Sequence, residues 1–125
     1  MICINNNDEY NEKYVVNIWN INSSNKIHLV NSDDKYKRWD AEDELLDNYE
    51  IKCVSDWYHL GKYDFVVLDV IKVGCPNNLI VIYNFYDGIY SITYSNLFEK
   101  FEIRKIDGKR KFFIPKIELT LIFKK

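Results

Sequence analysis

Apolar positions recur along the chain in two rhythms. Between residues 8 and 21, acids come first (Asp8, Glu9, Glu12), and Tyr14, Val15, Ile18 and Trp19 then follow at helical offsets. This segment predicts one amphipathic helix with Asn7 as its N-cap. From residue 26 onward the rhythm shortens: 26–30 and 49–54 predict strands, and 65–73 is more apolar still. Residues 79–85 and 89–94 flank Tyr86, Asp87 and Gly88, the pattern of a hairpin. Turns are marked at 22–25 and at Gly74-Cys75-Pro76-Asn77-Asn78. Asn96 opens a short helix to about residue 102, with Glu99 placed to reach back to the cap. Asp107-Gly108 is a further turn, and 112–123 is a final strand region broken at Pro115.

Composition sharpens the fold class. A chain of 125 residues suits a single domain with one core, spanning residues 1–125. Ala occurs once, at Ala41, and Gln never, which argues against a helix bundle. Sixteen Ile, ten Tyr, seven Phe and three Trp argue for a sheet-rich α+β fold. The expected architecture is an N-terminal helix, a central mixed β-sheet with a hairpin, a short C-terminal helix and a final strand.

The formal net charge of −2 hides a division along the chain. Residues 1–60 hold 6 Lys/Arg against 12 Asp/Glu, whereas residues 61–125 hold 11 against 7. Such a split suits an acidic cluster that holds cations beside a basic surface that holds phosphates. Lys100, Arg104, Lys105, Lys109, Arg110, Lys111 and Lys116 crowd one segment, with Phe101, Phe112 and Phe113 interleaved. They are the candidate nucleic-acid-binding residues. Lysines on an exposed edge strand also guard against strand pairing, so the segment has a structural reading too.

Other chemistries find little support. Cys3, Cys53 and Cys75 are odd in number and lack metal-ligand spacing, which points to cytoplasmic thiols. His28 and His59 have no acid or Cys partner at ligand spacing, and four glycines make no phosphate loop. The N-terminal residues lack the basic and apolar stretches of a signal peptide, and no apolar run is long enough to span a membrane.

One local pattern stands out by context. An acid two positions before a lysine occurs at Asp33-Asp34-Lys35, Glu50-Ile51-Lys52 and Asp107-Gly108-Lys109. About two such triplets are expected by chance in a chain so rich in both, so placement must choose. The first and third lie in polar turns. Glu50-Ile51-Lys52 lies on an expected strand, where Glu50 and Lys52 point to one face. A carboxylate and an ammonium there are costly to bury unless a site uses them. Ten residues earlier stands Asp40, directly after Trp39.

With Trp39-Asp40 and Glu50-Ile51-Lys52 after a helix containing Glu12, the chain resembles the PD-(D/E)XK, restriction-endonuclease-like nuclease superfamily, particularly its small phage and Holliday-junction-resolvase-like members. The resemblance runs over residues 8–102, and its specific part is three residues. It implies a restriction-endonuclease-like core in which Asp40 and Glu50 bind one or two Mg²⁺ (or Mn²⁺) ions and the Ile51 carbonyl completes the coordination. Lys52 then orients or activates the attacking water, and Glu12 holds a metal-bound water. The implied function is a metal-dependent endonuclease cutting DNA phosphodiester bonds, of phage or mobile-element type. At this size it would act as a homodimer, in the cytoplasm and without a membrane. The alternatives are a non-enzymatic phage or host protein that binds another protein or nucleic acid through a Tyr-rich sheet and the basic segment, and a degenerate nuclease fold kept for binding.

Overall fold

The structure is a computed structural model that describes residues 8–30, 39–45, 47–69, 78–93 and 97–125. In chain order the elements are α1 (Asp8–Asn22), β1 (Ile27–Leu29), β2 (Ala41–Asp43), β3 (Asn48–Val54), β4 (Tyr58–Leu60), β5 (Tyr63–Asp69), β6 (Asn78–Asn84) and β7 (Gly88–Thr93). There follow α2 (Leu97–Lys100), β8 (Glu102–Ile106), β9 (Lys109–Pro115), a 3₁₀ turn (Lys116–Glu118) and β10 (Thr120–Lys124). The protein is therefore α+β, as expected. The expected caps at Asn7 and Asn96, the residues 70–73 and the turn at 74–77 lie outside the described residues.

The strands form two sheets rather than one. A six-stranded sheet has the order β1-β2-β3-β6-β7-β10, and a four-stranded sheet has the order β4-β5-β9-β8. In the larger sheet β3 and β6 run parallel while every other pair is antiparallel, so it is mixed. The smaller sheet is antiparallel throughout. The segment 112–123, read as one interrupted strand, is divided between the two sheets. Pro115 ends β9, the 3₁₀ turn reverses the chain, and β10 joins β7. Likewise the helix expected to about residue 102 stops at Lys100, because Glu102 already pairs with Phe113 in β8.

Strand alternation sorts the side chains of the larger sheet into two cores. Tyr49, Ile51, Val81, Tyr83 and Ile89 face α1 and pack with Val15 and Trp19. Ile80, Ile82, Tyr90 and Ile92 face the smaller sheet and pack with Val66, Leu68, Phe112 and Ile114. Burying each such aliphatic or aromatic side chain contributes about 1.5–3 kcal/mol. The result is three layers: helix, six-stranded sheet, four-stranded sheet.

Polar groups close the ends of these layers. Asp43, fully buried, accepts the amides of Leu45 and Asp47 on Oδ1 and hydrogen bonds from Asn25 and the Tyr49 hydroxyl on Oδ2. Burial works against its charge, but these donors hold its carboxyl below the usual carboxylate range. Asp87, in the β6–β7 turn, ties the sheets together. Its Oδ2 accepts from Trp57 Nε1 at 2.9 Å and Lys116 Nζ at 2.6 Å, and its Oδ1 from the Tyr90 hydroxyl at 2.6 Å and Lys124 Nζ at 2.7 Å. Desolvation opposes the charge there too, yet the two ammonium groups, the Tyr90 hydroxyl and the Trp57 indole hold its carboxyl well below the ordinary range. At the far tip of the small sheet, Asp107 and Gly108 both adopt positive φ between the paired Ile106 and Lys109. That is the two-residue hairpin turn for which Asp-Gly is suited.

Candidate metal and phosphate site

β3 carries the centre of the candidate site. Its alternation sorts the side chains: Tyr49 and Ile51 turn to the helix, so Glu50 and Lys52 turn to the face of the smaller sheet. In parallel register Glu50 lies beside Ile80 and Lys52 beside Ile82, both of which belong to the inter-sheet core. Glu50 and Lys52 are themselves half-buried, because β3 lies one strand away from the middle of that core.

Asp40 reaches the same segment from the neighbouring chain. It lies in a bend just before β2, where Ala41 pairs with Tyr49 and Glu42 with Asn48. Its amide donates to the Tyr49 carbonyl at 3.0 Å, and its Oδ2 accepts from the Ile51 amide at 2.8 Å. β2 begins only at Ala41, so the Asp40 carboxylate takes the place of the next ladder partner of β3. The side chain of an acid is thereby fixed against the backbone between Glu50 and Lys52. In a ladder the N–H and C=O of one residue project to the same side, so the Ile51 carbonyl also lies on the side where Asp40 sits.

The candidate donors are all oxygen: the Asp40 and Glu50 carboxylates and the Ile51 carbonyl. Hard cations such as Mg²⁺ prefer this chemistry and usually keep several waters, so two acids with a substrate phosphate are a sufficient anchor. Among the described residues no three His, Cys, Asp or Glu side chains gather as a metal cluster. Glu12 accordingly does not join Asp40 and Glu50 there. It is half-buried on α1, which packs against the Tyr49 and Ile51 face of the sheet.

The basic segment forms the β8–β9 hairpin of the smaller sheet. Lys111 forms an ion pair with Asp69 at the end of β5. The Lys111 hydrogen bond holds the Asp69 carboxyl below its ordinary range against the effect of burial, and the charges of Lys111, Lys52 and Lys109 add to it. One carboxylate therefore lies within the fields of the strand lysine and two hairpin lysines. Asp69 was not singled out from the sequence; the available signal was an acid closing the most apolar strand. Arg104 pairs across from Lys111, and Lys105 from Arg110. Lys100 is exposed on α2 at the start of the β8–β9 hairpin. Lys116 leaves the set, because its ammonium is held by Asp87 and stands 4.9 Å from the centre of the Trp57 ring.

No helix among the described residues is long and apolar enough to cross a membrane. No family model matches the chain, and no curated protein or solved structure does either.

Proposed function

We propose that the chain is a metal-dependent nuclease that hydrolyses DNA phosphodiester bonds at the Asp40, Glu50 and Lys52 centre. One observation carries this reading: the hydrogen bond from the Ile51 amide to Asp40 Oδ2, which fixes an acid from a separate segment against the middle residue of the Glu-X-Lys triplet. A pairing of β6 parallel to β3 supports it as well, since the chain does not simply turn back after β5. Among the described residues the crossover runs through the β4–β5 hairpin and includes no helix, which sets it apart from the commoner form of the restriction-endonuclease-like core.

Asp40, Glu50 and the Ile51 carbonyl would hold Mg²⁺ or Mn²⁺. Such an ion lowers the pKa of a bound water and offsets charge developing on the phosphate. Lys52, sharing the face of Glu50, places its ammonium where negative charge gathers on the attacking water and the phosphate oxygens. The Asp40 contact with the Ile51 amide keeps that carboxylate oriented before substrate arrives, which avoids reorganisation during the reaction. Lys109 and Lys111 would hold neighbouring phosphates of the strand. A domain this small leaves little surface for choosing a target, so the reading includes a homodimer.

Incubation of supercoiled and branched DNA with the protein and Mg²⁺ or Mn²⁺ tests the reading. Cutting that EDTA stops and that Lys52→Ala and Asp40→Asn each reduce at least about a hundredfold is expected. Undiminished cutting by both variants would remove the site, and no cutting by the parent on any substrate would favour a binding protein.

A further inference from the structure

A small cavity opens at one corner of the six-stranded sheet. Thr120, the first residue of β10, pairs with Ser91, so β7 runs on to Thr93 with no further ladder partner in β10. Lys100 and Phe101, at the junction of α2 with β8, and Glu118, in the 3₁₀ turn, line the space beside this part of β7. The cavity measures about 140 Å³.

Its lining is polar and unsatisfied. Ser91, Thr93 and Thr120 all border it. Ser91 and Thr120 stand opposite each other and Thr93 is two positions along β7, so strand alternation sends the three hydroxyl side chains to one face of the sheet. Ser91 is only 4% exposed, and its hydroxyl makes no hydrogen bond among the described residues. A buried hydroxyl left so costs free energy unless a water or a ligand meets it, and the space it borders is this cavity. Lys100 and Glu118 are exposed and opposite in charge, yet among the described residues neither is ion-paired, with the other or elsewhere. An ammonium and a carboxylate that border one space without meeting leave it a positive and a negative position. Phe101, half-buried against the inter-sheet core, adds an apolar wall.

We infer that this cavity binds a small free α-amino acid as its zwitterion, with the ligand carboxylate toward Lys100, the ligand ammonium toward Glu118 and the Ser91, Thr93 and Thr120 hydroxyls bonding its polar atoms. Size and charge select this class. The volume is that of roughly four or five liquid waters, too little for a nucleotide but enough for a molecule the size of alanine or serine. A plain anion would meet the Glu118 carboxylate and a plain cation the Lys100 ammonium, whereas a molecule carrying both charges complements each. The cavity lies on β7, two strands from β3, and the inference stands independently of the nuclease reading. A ligand here touches β7 and β10 of the larger sheet and the segment entering β8 of the smaller one, so occupancy stabilises the fold.

Amide NMR titration of the isotope-labelled protein with glycine, L-alanine and L-serine, and separately with acetate and with methylammonium, tests this at constant ionic strength. At least one of the amino acids should give saturable shifts at Ser91, Thr93, Lys100, Phe101 and Thr120 and raise the melting temperature. Acetate and methylammonium should each bind about tenfold more weakly or worse. Lys100→Met and Glu118→Gln should each weaken amino-acid binding by about tenfold or more. Both side chains are exposed and unpaired among the described residues, so the melting temperature of the ligand-free variants should match the parent's. Ser91→Ala should weaken binding severalfold without destabilising the free protein, because it strands no partner. Acetate binding as tightly as the amino acids, with Glu118→Gln unaffected, would overturn the inference in favour of an anion site. Shifts that never saturate, or that saturate elsewhere on the protein, would overturn it outright, as would amino-acid binding that survives both charge variants.

Discussion

Trp57 Nε1 and Asp87 Oδ2 meet at 2.9 Å across 30 positions of sequence, joining the residue just before β4 to the β6–β7 turn. Because Lys116, Lys124 and Tyr90 converge on the same carboxylate, Asp87→Ala would leave two ammonium groups and an indole N–H without their acceptor. A loss of about 2–4 kcal/mol is expected in urea unfolding followed by tryptophan fluorescence. Asp87→Asn should lose less, since its carbonyl still accepts from one or two donors. A midpoint equal to the parent for Asp87→Ala would show that the cluster contributes nothing.

Three separate carboxylates, Asp87 among them, set an acid limit. Asp43, Asp69 and Asp87 all have carboxyls held below their unfolded value. A depressed folded pKa contributes stability that is present above the unfolded value and is lost as pH falls through the folded one. Thermal midpoints should therefore be level near neutrality and decline below about pH 4. On the alkaline side, burial first and the adjacent Asp carboxylates second raise the hydroxyls of Tyr49 and Tyr90 above their ordinary value. Their contribution is complete below about pH 10 and is lost as pH rises further. Midpoints that fell steeply between pH 6 and 5 would point to other groups.

Asp40 separates structure from chemistry. Asp40→Asn keeps an oxygen for the Ile51 amide and should change stability by less than about 1 kcal/mol while abolishing cutting. Asp40→Ala strands that β3 amide and should cost about 1–2 kcal/mol besides. If the two variants were equally stable, the contact to Ile51 would not matter to the fold.

Gly88 opens β7 with φ +149, and a Cβ there would lie 2.0 Å from the Phe123 carbonyl oxygen and 3.1 Å from Lys124 Cα. Gly88→Ala should push β10 off the sheet edge and destabilise by roughly 2–4 kcal/mol. Limited proteolysis at residues 119–125 would report the released strand; unchanged digestion would refute this.

Salt separates the two kinds of lysine. Removing Lys105, Lys109 or Arg110 should reduce the slope of log affinity for DNA against log salt by about 1 each. Lys116→Ala should leave the slope alone and lower the melting temperature, because Asp87 already holds that ammonium. Equal slope changes for all four would place Lys116 on the DNA as well.

Much of this was legible in the chain, and the failures share a physical cause. α1, β3, the β6–β7 hairpin and the Asp107-Gly108 turn are local patterns, decided by periodicity and turn chemistry. β2 falls in an acid-rich stretch, residues 40–47, where no apolar alternation marks a strand, yet Ala41, Glu42 and Asp43 are buried. Their polarity is offset by partners distant in sequence, such as Asn25 for Asp43. β4 was missed because Tyr58, His59 and Leu60 are all exposed and show no alternation. The second sheet was missed because its central pairing, β5 with β9, joins residues more than forty positions apart. For the candidate site, the Glu50 and Lys52 face followed from strand geometry, but the roles of Asp69, Lys111 and Lys116 depend on which sheet each strand enters.

The two sheets draw their strands from the chain in turns: three to the larger, two to the smaller, two to the larger, two to the smaller and one back to the larger. Neither layer can be cut out of the chain without taking strands from the other. A shortened or circularly rearranged version therefore has no natural seam at which to begin.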